Sequence, residues 1–116
     1  SQEVEQIQTI SFPDSITSIG ASAFLGCSNL VNVTFGREIT SIGAGAFIGC
    51  SSLSSLRFLG PTSDWNVRNE GEDYEGTPVS GALLSDPSTA AELFHNTYAI
   101  YSWWRRGSGY GYLFLD

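Results

Sequence analysis

Apolar residues recur along the first sixty positions at one fixed offset of 23. "ITSIGASAFLGC" (16–27) is followed 23 residues later by "ITSIGAGAFIGC" (39–50). Aligning 16–38 with 39–61 gives thirteen identities without a gap. Half of another copy precedes them, because Ile7, Ile10 and Phe12 lie 23 residues before Leu30, Val33 and Phe35. Leu53, Leu56 and Phe58 continue the series. A fixed period between 20 and 50 residues marks a chain built of stacked coils, each too small to bury its own apolar face.

The spacing within one period predicts the shape of the coil. In L-x-x-V-x-F the last two apolar residues alternate as a half-buried strand requires, and the first sits at the bend before it. I-T-S-I predicts a second short extended piece with Ile16 and Ile19 inside, and Gly20 is expected to take a positive φ at the next bend. A-F-x-G-C then predicts a tight corner burying Ala23, Phe24 and Cys27. Stacking turns each position into a ladder, so Phe24 and Phe47, Ile19 and Ile42, and Cys27 and Cys50 are all expected inside. The cysteines read as a buried reduced pair, since free Cys packs as a small apolar residue. A disulfide between adjacent coils is the alternative.

"ITSIGASAFLGCSNLVNVTF" (16–35) resembles the BspA-like leucine-rich repeat, whose units read roughly V-T-S-I-G-x-x-A-F-x-x-C-x-x-L-x-x-V. "FLGPTSDWNV" (58–67) is similar to the G-T-x-x-x-W-N segment that often closes the last coil in bacterial members. The resemblance implies a right-handed leucine-rich-repeat solenoid with short parallel strands, mostly β with little helix. It also implies a surface-exposed or secreted protein of a bacterium or protist, used in adhesion or host-protein binding.

After residue 61 the pattern changes. The coils are expected over 1–61, as a half repeat at 7–15 and full repeats at 16–38 and 39–61. Residues 62–81 read as an acidic loop or linker carrying Asp64, Glu70, Glu72, Asp73 and Glu75. "NEGEDYE" (69–75) lacks the alternating ligands, central glycine and distant glutamate of a calcium loop, and a solvated acidic loop is the better reading. Residues 82–116 are expected to form a small α+β cap. "DPSTAAELFHNTY" (86–98) predicts a helix, with Asp86 capping and Pro87 at the first helical position. The aromatic tail, 98–116, predicts a hairpin turning through Gly107, Ser108 and Gly109, with a continued helix as the alternative. That end is expected to close the stack, while Ile7, Ile10 and Phe12 stay uncovered. The chain is therefore expected to be the C-terminal piece of a longer solenoid, with upstream repeats as one partner.

Composition narrows the function. The chain of 116 residues has a net charge of −7, and its five cations are Arg37, Arg57, Arg68, Arg105 and Arg106. That balance suits neither nucleic acid nor an anionic membrane, and no apolar run is long enough to span a bilayer. One histidine, His95, and no G-x-S-x-G elbow leave no catalytic constellation. No cofactor, metal or catalytic residue is expected. The expected function is a non-catalytic protein-binding or adhesion module at the cell surface or outside the cell, with an extracellular or host protein as partner. Its surface is expected at the outward positions of the repeat strands: Gln8, Thr9 and Ser11, then Val31, Asn32 and Thr34, then Ser54, Ser55 and Arg57. Thr17, Ser18, Thr40 and Ser41 are expected to be displayed on the second strand. Asn32-Val33-Thr34 is also a glycosylation sequon, meaningful in a eukaryotic secreted protein. Trp103, Trp104, Arg105 and Arg106 form a second candidate ligand surface, weighed against a capping role. The alternative function is a structural C-terminal cap or spacer of a longer solenoid or fibre protein.

Overall fold

The computed structural model describes residues 6–70, 76–95 and 100–107. The elements run β1 (Thr9–Ser11), β2 (Ser18–Ile19), β3 (Asn32–Phe35), β4 (Ser41–Ile42), β5 (Ser55–Phe58), β6 (Trp65–Asn69), β7 (Thr77–Pro78), α1 (Gly81–Leu84), α2 (Pro87–His95) and β8 (Tyr101–Arg105). Strand dominates and helix is sparse, as the repeat implies. The L-x-x-V-x-F strands form one parallel sheet in the order β1-β3-β5. The I-T-S-I strands open a second sheet, β2-β4-β8-β6-β7. The parallel strands expected of the coils stop at β4 in this sheet, which is mixed: β4 meets β8, β8 meets β6, and β6 meets β7 antiparallel.

Every parallel pair keeps the 23-residue offset. Ile10 lies opposite Val33 and Val33 opposite Leu56, while Ile19 lies opposite Ile42. The corner between the sheets keeps it too. Its odd-numbered amides close three-residue turns, Ala23 N–H donating to Gly20, Leu25 to Ser22 and Cys27 to Phe24. Its even-numbered amides reach the next coil, Ser22 to Ala44, Phe24 to Ala46 and Gly26 to Ile48, at 2.8–2.9 Å. The corner is thus a stack of turns, with both sets of main-chain donors satisfied. Gly20 does not carry the positive φ expected of it. That conformation falls two residues on, at Ser22 (φ 57°) and its counterpart Gly45 (φ 67°).

Stacking brings the apolar ladders into contact. Phe12 lies over Phe35 with ring centroids 5.5 Å apart, Phe35 over Phe58 at 5.1 Å, and Phe24 over Phe47 at 5.4 Å. Ile19, Cys27, Ile42, Phe47 and Cys50 are buried as expected. Phe24 is only half-buried and Ala23 is exposed, which corrects those two expectations. Their counterparts Phe47 and Ala46 are buried. The difference is positional: a middle coil is covered on two sides, and no described coil precedes the first.

At the other end the repeat gives way to aromatic packing. β8 lies where the next I-T-S-I strand would lie, and it takes over that strand's hydrogen bonds. Thr40 O, the counterpart of the Thr17 O that accepts from Thr40 and Ser41, accepts from Arg105 N–H. Gly45 N–H, the counterpart of Ser22 N–H, donates to Tyr101 O. The expected helix is α2, and Asp86 serves its start, accepting from the Thr89 hydroxyl at 2.9 Å and the Ser88 hydroxyl at 3.2 Å. α2 packs on β5, with Phe94 6.0 Å from Phe58 and stacked on Trp103 at 4.1 Å. Two expectations change here. Part of the expected loop over 62–81 is strand β6, whose Trp65 is fully buried against Phe58 and donates its indole N–H to Pro61 O at 3.0 Å. The first run of the expected hairpin is β8, whose neighbours are β4 on one side and β6 on the other rather than a sequence neighbour. The second half of that hairpin lies outside the described residues, as does most of 69–75.

Two tests follow from the stacking. Phe47→Ala empties a site walled by Phe24, Phe35 and Phe94, so urea melts are expected to show a loss of about 3–5 kcal/mol. Phe24→Ala, half-exposed, is expected to lose clearly less. Equivalent glycines should also differ. A Cβ on Gly43 would sit 2.4 Å from Ala21 N, whereas one on Gly20 would meet nothing within 4 Å. Gly43→Ala is expected to force the coils apart and lower the melting temperature sharply. Gly20→Ala should leave it within a degree or so, about what surface changes do. Equal effects at the two glycines would overturn the register of the stacked coils.

Candidate functional site

The first sheet presents a polar outer face built by the alternation of its strands. Val33, Phe35 and Leu56 point inward and are buried, so the residues between them point out. In register this gives two cross-strand rows, Thr9–Asn32–Ser55 and Ser11–Thr34–Arg57. Thr9, Ser11, Asn32 and Arg57 are exposed, while Thr34 and Ser55 are partly covered by their neighbours. Gln8, Val31 and Ser54 form a third row at the bend, joined by Val31 N–H to Gln8 O and Ser54 N–H to Val31 O. Val31 is half-buried, and the Ser54 hydroxyl turns back to Ser52 O at 2.9 Å. The six strand positions thus form one outer face, and the bend row runs beside it. The face is flat, rich in short hydrogen-bonding side chains, and carries one cation in Arg57.

The second strand departs from its expectation. Thr17 and Ser18 are exposed, but Thr40 is half-buried and donates its hydroxyl to Thr17 O at 3.1 Å. Ser41 is buried, because β8 sets Trp104 directly opposite it. The same four letters are displayed in one coil and covered in the next.

The tryptophans of the Trp103–Arg106 cluster are buried rather than displayed, while Arg106 is exposed. Trp103 and Trp104 are 4% and 3% exposed. They leave opposite faces of β8, as a strand requires, yet both are covered. Trp103 stacks on Phe94, and Trp104 lies so near Gly76 that a Cβ there would come within 2.7 Å of its ring. Arg105 grips Asp64 with two hydrogen bonds, Nη2 at 2.9 Å and Nε at 3.2 Å. The Arg105 guanidinium holds the Asp64 carboxyl below its ordinary range. Arg106 donates to Asn66 Oδ1, Ser63 O and Trp65 O. Both arginines fasten the 63–66 segment, and their residue types gave no sign of which carboxylate they would find.

Cys27 and Cys50 are free and buried. The Cys50 thiol donates to Phe24 O at 3.1 Å, and burial, with the neighbouring Cys27, pushes it up to about 11. A thiol so held is a poor nucleophile. Among the described residues no group of three or more His, Cys, Asp or Glu side chains could hold a metal ion, and no helix is long and apolar enough to cross a membrane. His95 ends α2 half-buried. Beyond the strand face lie two open grooves that the sequence did not signal. One, of about 410 Å³, is walled by Val67, Leu83, Leu93 and Trp103. The other, of about 400 Å³, lies between Ser18, Ser41, Ser102 and Arg68.

A family model described as BspA type Leucine rich repeat region (6 copies) matches residues 2–67. No curated protein sequence and no solved structure matches the chain.

The raised thiol sets a pH window. The folded state accommodates Cys50 as the neutral thiol, so its contribution is intact below the ordinary value of 9.0 and is lost as pH rises toward about 11. Relative to Cys50→Ala, the wild-type chain is expected to lose about 2 kcal/mol in urea melts between about pH 8 and about pH 11. Both thiols are expected to resist alkylation until the chain is unfolded. Rapid native labelling would contradict their burial.

Proposed function

The chain belongs to the BspA-type leucine-rich-repeat family, a family of generally non-catalytic interaction repeats, and on that premise we propose that it is a protein-binding module of a surface or secreted protein. Its ligand is an extended segment of an extracellular protein, held on the outer face of the first sheet. The observation that carries this reading is the in-register polar surface of β1, β3 and β5. Short side chains on a rigid ladder lose little conformational freedom on contact, and solenoids use such faces for extended contacts. The coils are read as a right-handed solenoid closed on its C-terminal side by α2 and β8 with β6, which keeps the binding face rigid up to its last strand.

A second reading has its own support. α2 packs on β5 and β8 is fastened to residues 63–66, which would suit a terminal spacer that binds nothing itself. Asn32→Arg combined with Arg57→Glu alters the strand face without touching the core, and Ser28→Arg is an exposed control on a turn. Biolayer interferometry against purified extracellular-matrix and plasma proteins is expected to find a partner whose affinity falls at least about tenfold in the face variant. The control is expected to bind as wild type. If no protein binds, or if the control weakens binding equally, the spacer reading replaces this one.

A further inference from the structure

The five arginines of this chain divide into those the fold uses and those it does not. Arg105 and Arg106 are held by residues 63–66, and Arg68 is engaged as well. Among the described residues, the guanidiniums of Arg37 and Arg57 make no hydrogen bond or ion pair, although the chain carries twelve carboxylates. Both side chains are exposed, and both lie where the strands of the first sheet end. Arg57 points outward from β5 in the row Ser11–Thr34–Arg57. Arg37 lies on the turn after β3, where a Cβ on Gly60 would sit 2.5 Å from Arg37 O. The turn that carries Arg37 is therefore packed on the chain just past β5.

Along the chain, Leu59 stands between Arg57 and that contact. Its amide donates to Phe35 O at 3.0 Å, so the ladder runs one residue past β5 and keeps its alternation. Leu56 and Phe58 face inward, which puts Arg57 and Leu59 on the same outer face, about 6.6 Å apart along the strand. Leu59 is 54% exposed. The carboxylates nearest in sequence to Arg37 have other ties. Asp14 Oδ1 accepts the Arg37 main-chain amide at 2.8 Å. The charge of Arg105 is favoured chiefly by Asp64 and also by Glu38.

We propose that this corner anchors the ligand of the strand face, and that the ligand is an extended peptide segment carrying an acidic residue with an apolar residue two positions along. Resting on the protein-binding function proposed above, it names the chemistry of the partner. A guanidinium meets a carboxylate with two parallel hydrogen bonds, and neither Arg57 nor Arg37 has to give up a bond to make them. Residues i and i+2 of an extended segment face the same way about 6.6 Å apart, the spacing at which Arg57 and Leu59 stand. An acidic residue laid over Arg57 thus sets its second neighbour against Leu59, and both apolar side chains leave water. Thr9, Asn32 and Ser55 offer short hydrogen-bonding groups to the rest of the segment. A polyanion fits poorly, because the net charge of −7 repels it and two guanidiniums beside a leucine are too few to hold one.

The test is selection of a displayed library of short linear peptides on the immobilised full chain, followed by biolayer interferometry with the peptides it enriches. The wild-type chain is expected to enrich an acidic residue followed two positions on by an apolar one. Arg57→Gln is expected to lose the acidic preference and to bind the wild-type peptides at least about tenfold more weakly, with part of the loss restored in Arg57→Lys. Leu59→Ser is expected to lose the apolar preference alone, and Arg37→Gln to weaken binding less than Arg57→Gln. Arg57→Gln and Leu59→Ser are expected to keep the wild-type urea midpoint, since both side chains are exposed. A midpoint that falls clearly in Arg57→Gln would make this arginine structural and overturn the anchor. Enriched peptides that are lost in Asn32→Arg yet show no acidic preference would overturn this inference and leave the strand face as the binding surface. No enrichment at all would overturn both. Retention on heparin that disappears in Arg57→Gln would overturn the ligand class.

Discussion

One constraint governs this structure: among the described residues, the main-chain hydrogen bonds between coils connect positions 22 to 24 residues apart. They run along the first sheet, across the corner and along the second sheet. A coil of this size cannot pair its own amides and carbonyls, because its strands are two to four residues long and face different sheets. Its neighbour must do it. The apolar ladders follow from the same spacing, since a shared register sets like side chain over like. The glycine at 43 follows as well: the hydrogen-bonded corner draws its backbone against Gly20 and Ala21 until no Cβ fits.

Beyond β4 the second sheet continues with a different kind of strand. Here an antiparallel strand, β8, accepts and donates where a parallel one would have. Antiparallel pairing cannot pass the 23-residue register onward, and what β8 offers on its far side is taken by β6. Trp65, Phe94 and Trp103 then fill the volume that another coil's side chains would occupy. The Asp64–Arg105 pair is about a third exposed on its carboxylate side, and surface pairs of that sort contribute little stability. Its value is positional. With the Arg106 bonds to Ser63 and Trp65 it fixes the chain where it leaves the last coil and enters β6.

The repeat was legible in the sequence because its information is local and duplicated. Ile10, Val33 and Leu56 announce one ladder by identity of type and spacing, and the helix announces itself through Asp86 and Pro87. β6 was not legible. Its pairing depends on β8, some 36 positions away, and the acidic residues beside Trp65-Asn66-Val67 dominate the local composition. The aromatic tail misled for the same reason, since its β-prone run was real but its partners were not sequence neighbours. Of the candidate sites, the strand face could be read from alternation alone. The burial of Trp103 and Trp104 could not, because both faces of β8 turn out to be covered.

Identical letters also came to mean different things. Ser18 and Ser41 occupy one position of the repeat, with the same neighbours in sequence and the same strand geometry. Ser18 keeps an open side, while Ser41 is shut in by a tryptophan that belongs to no coil. A repeat specifies what a position looks like from within the stack, and the element beyond the stack decides what it faces. The groove beside Ser41 exists only because the second sheet continues into β8 and β6. A third ordinary coil there would have brought another I-T-S-I strand in place of Ser102 and Arg68. The strands that change the pairing therefore also change what the repeat positions face.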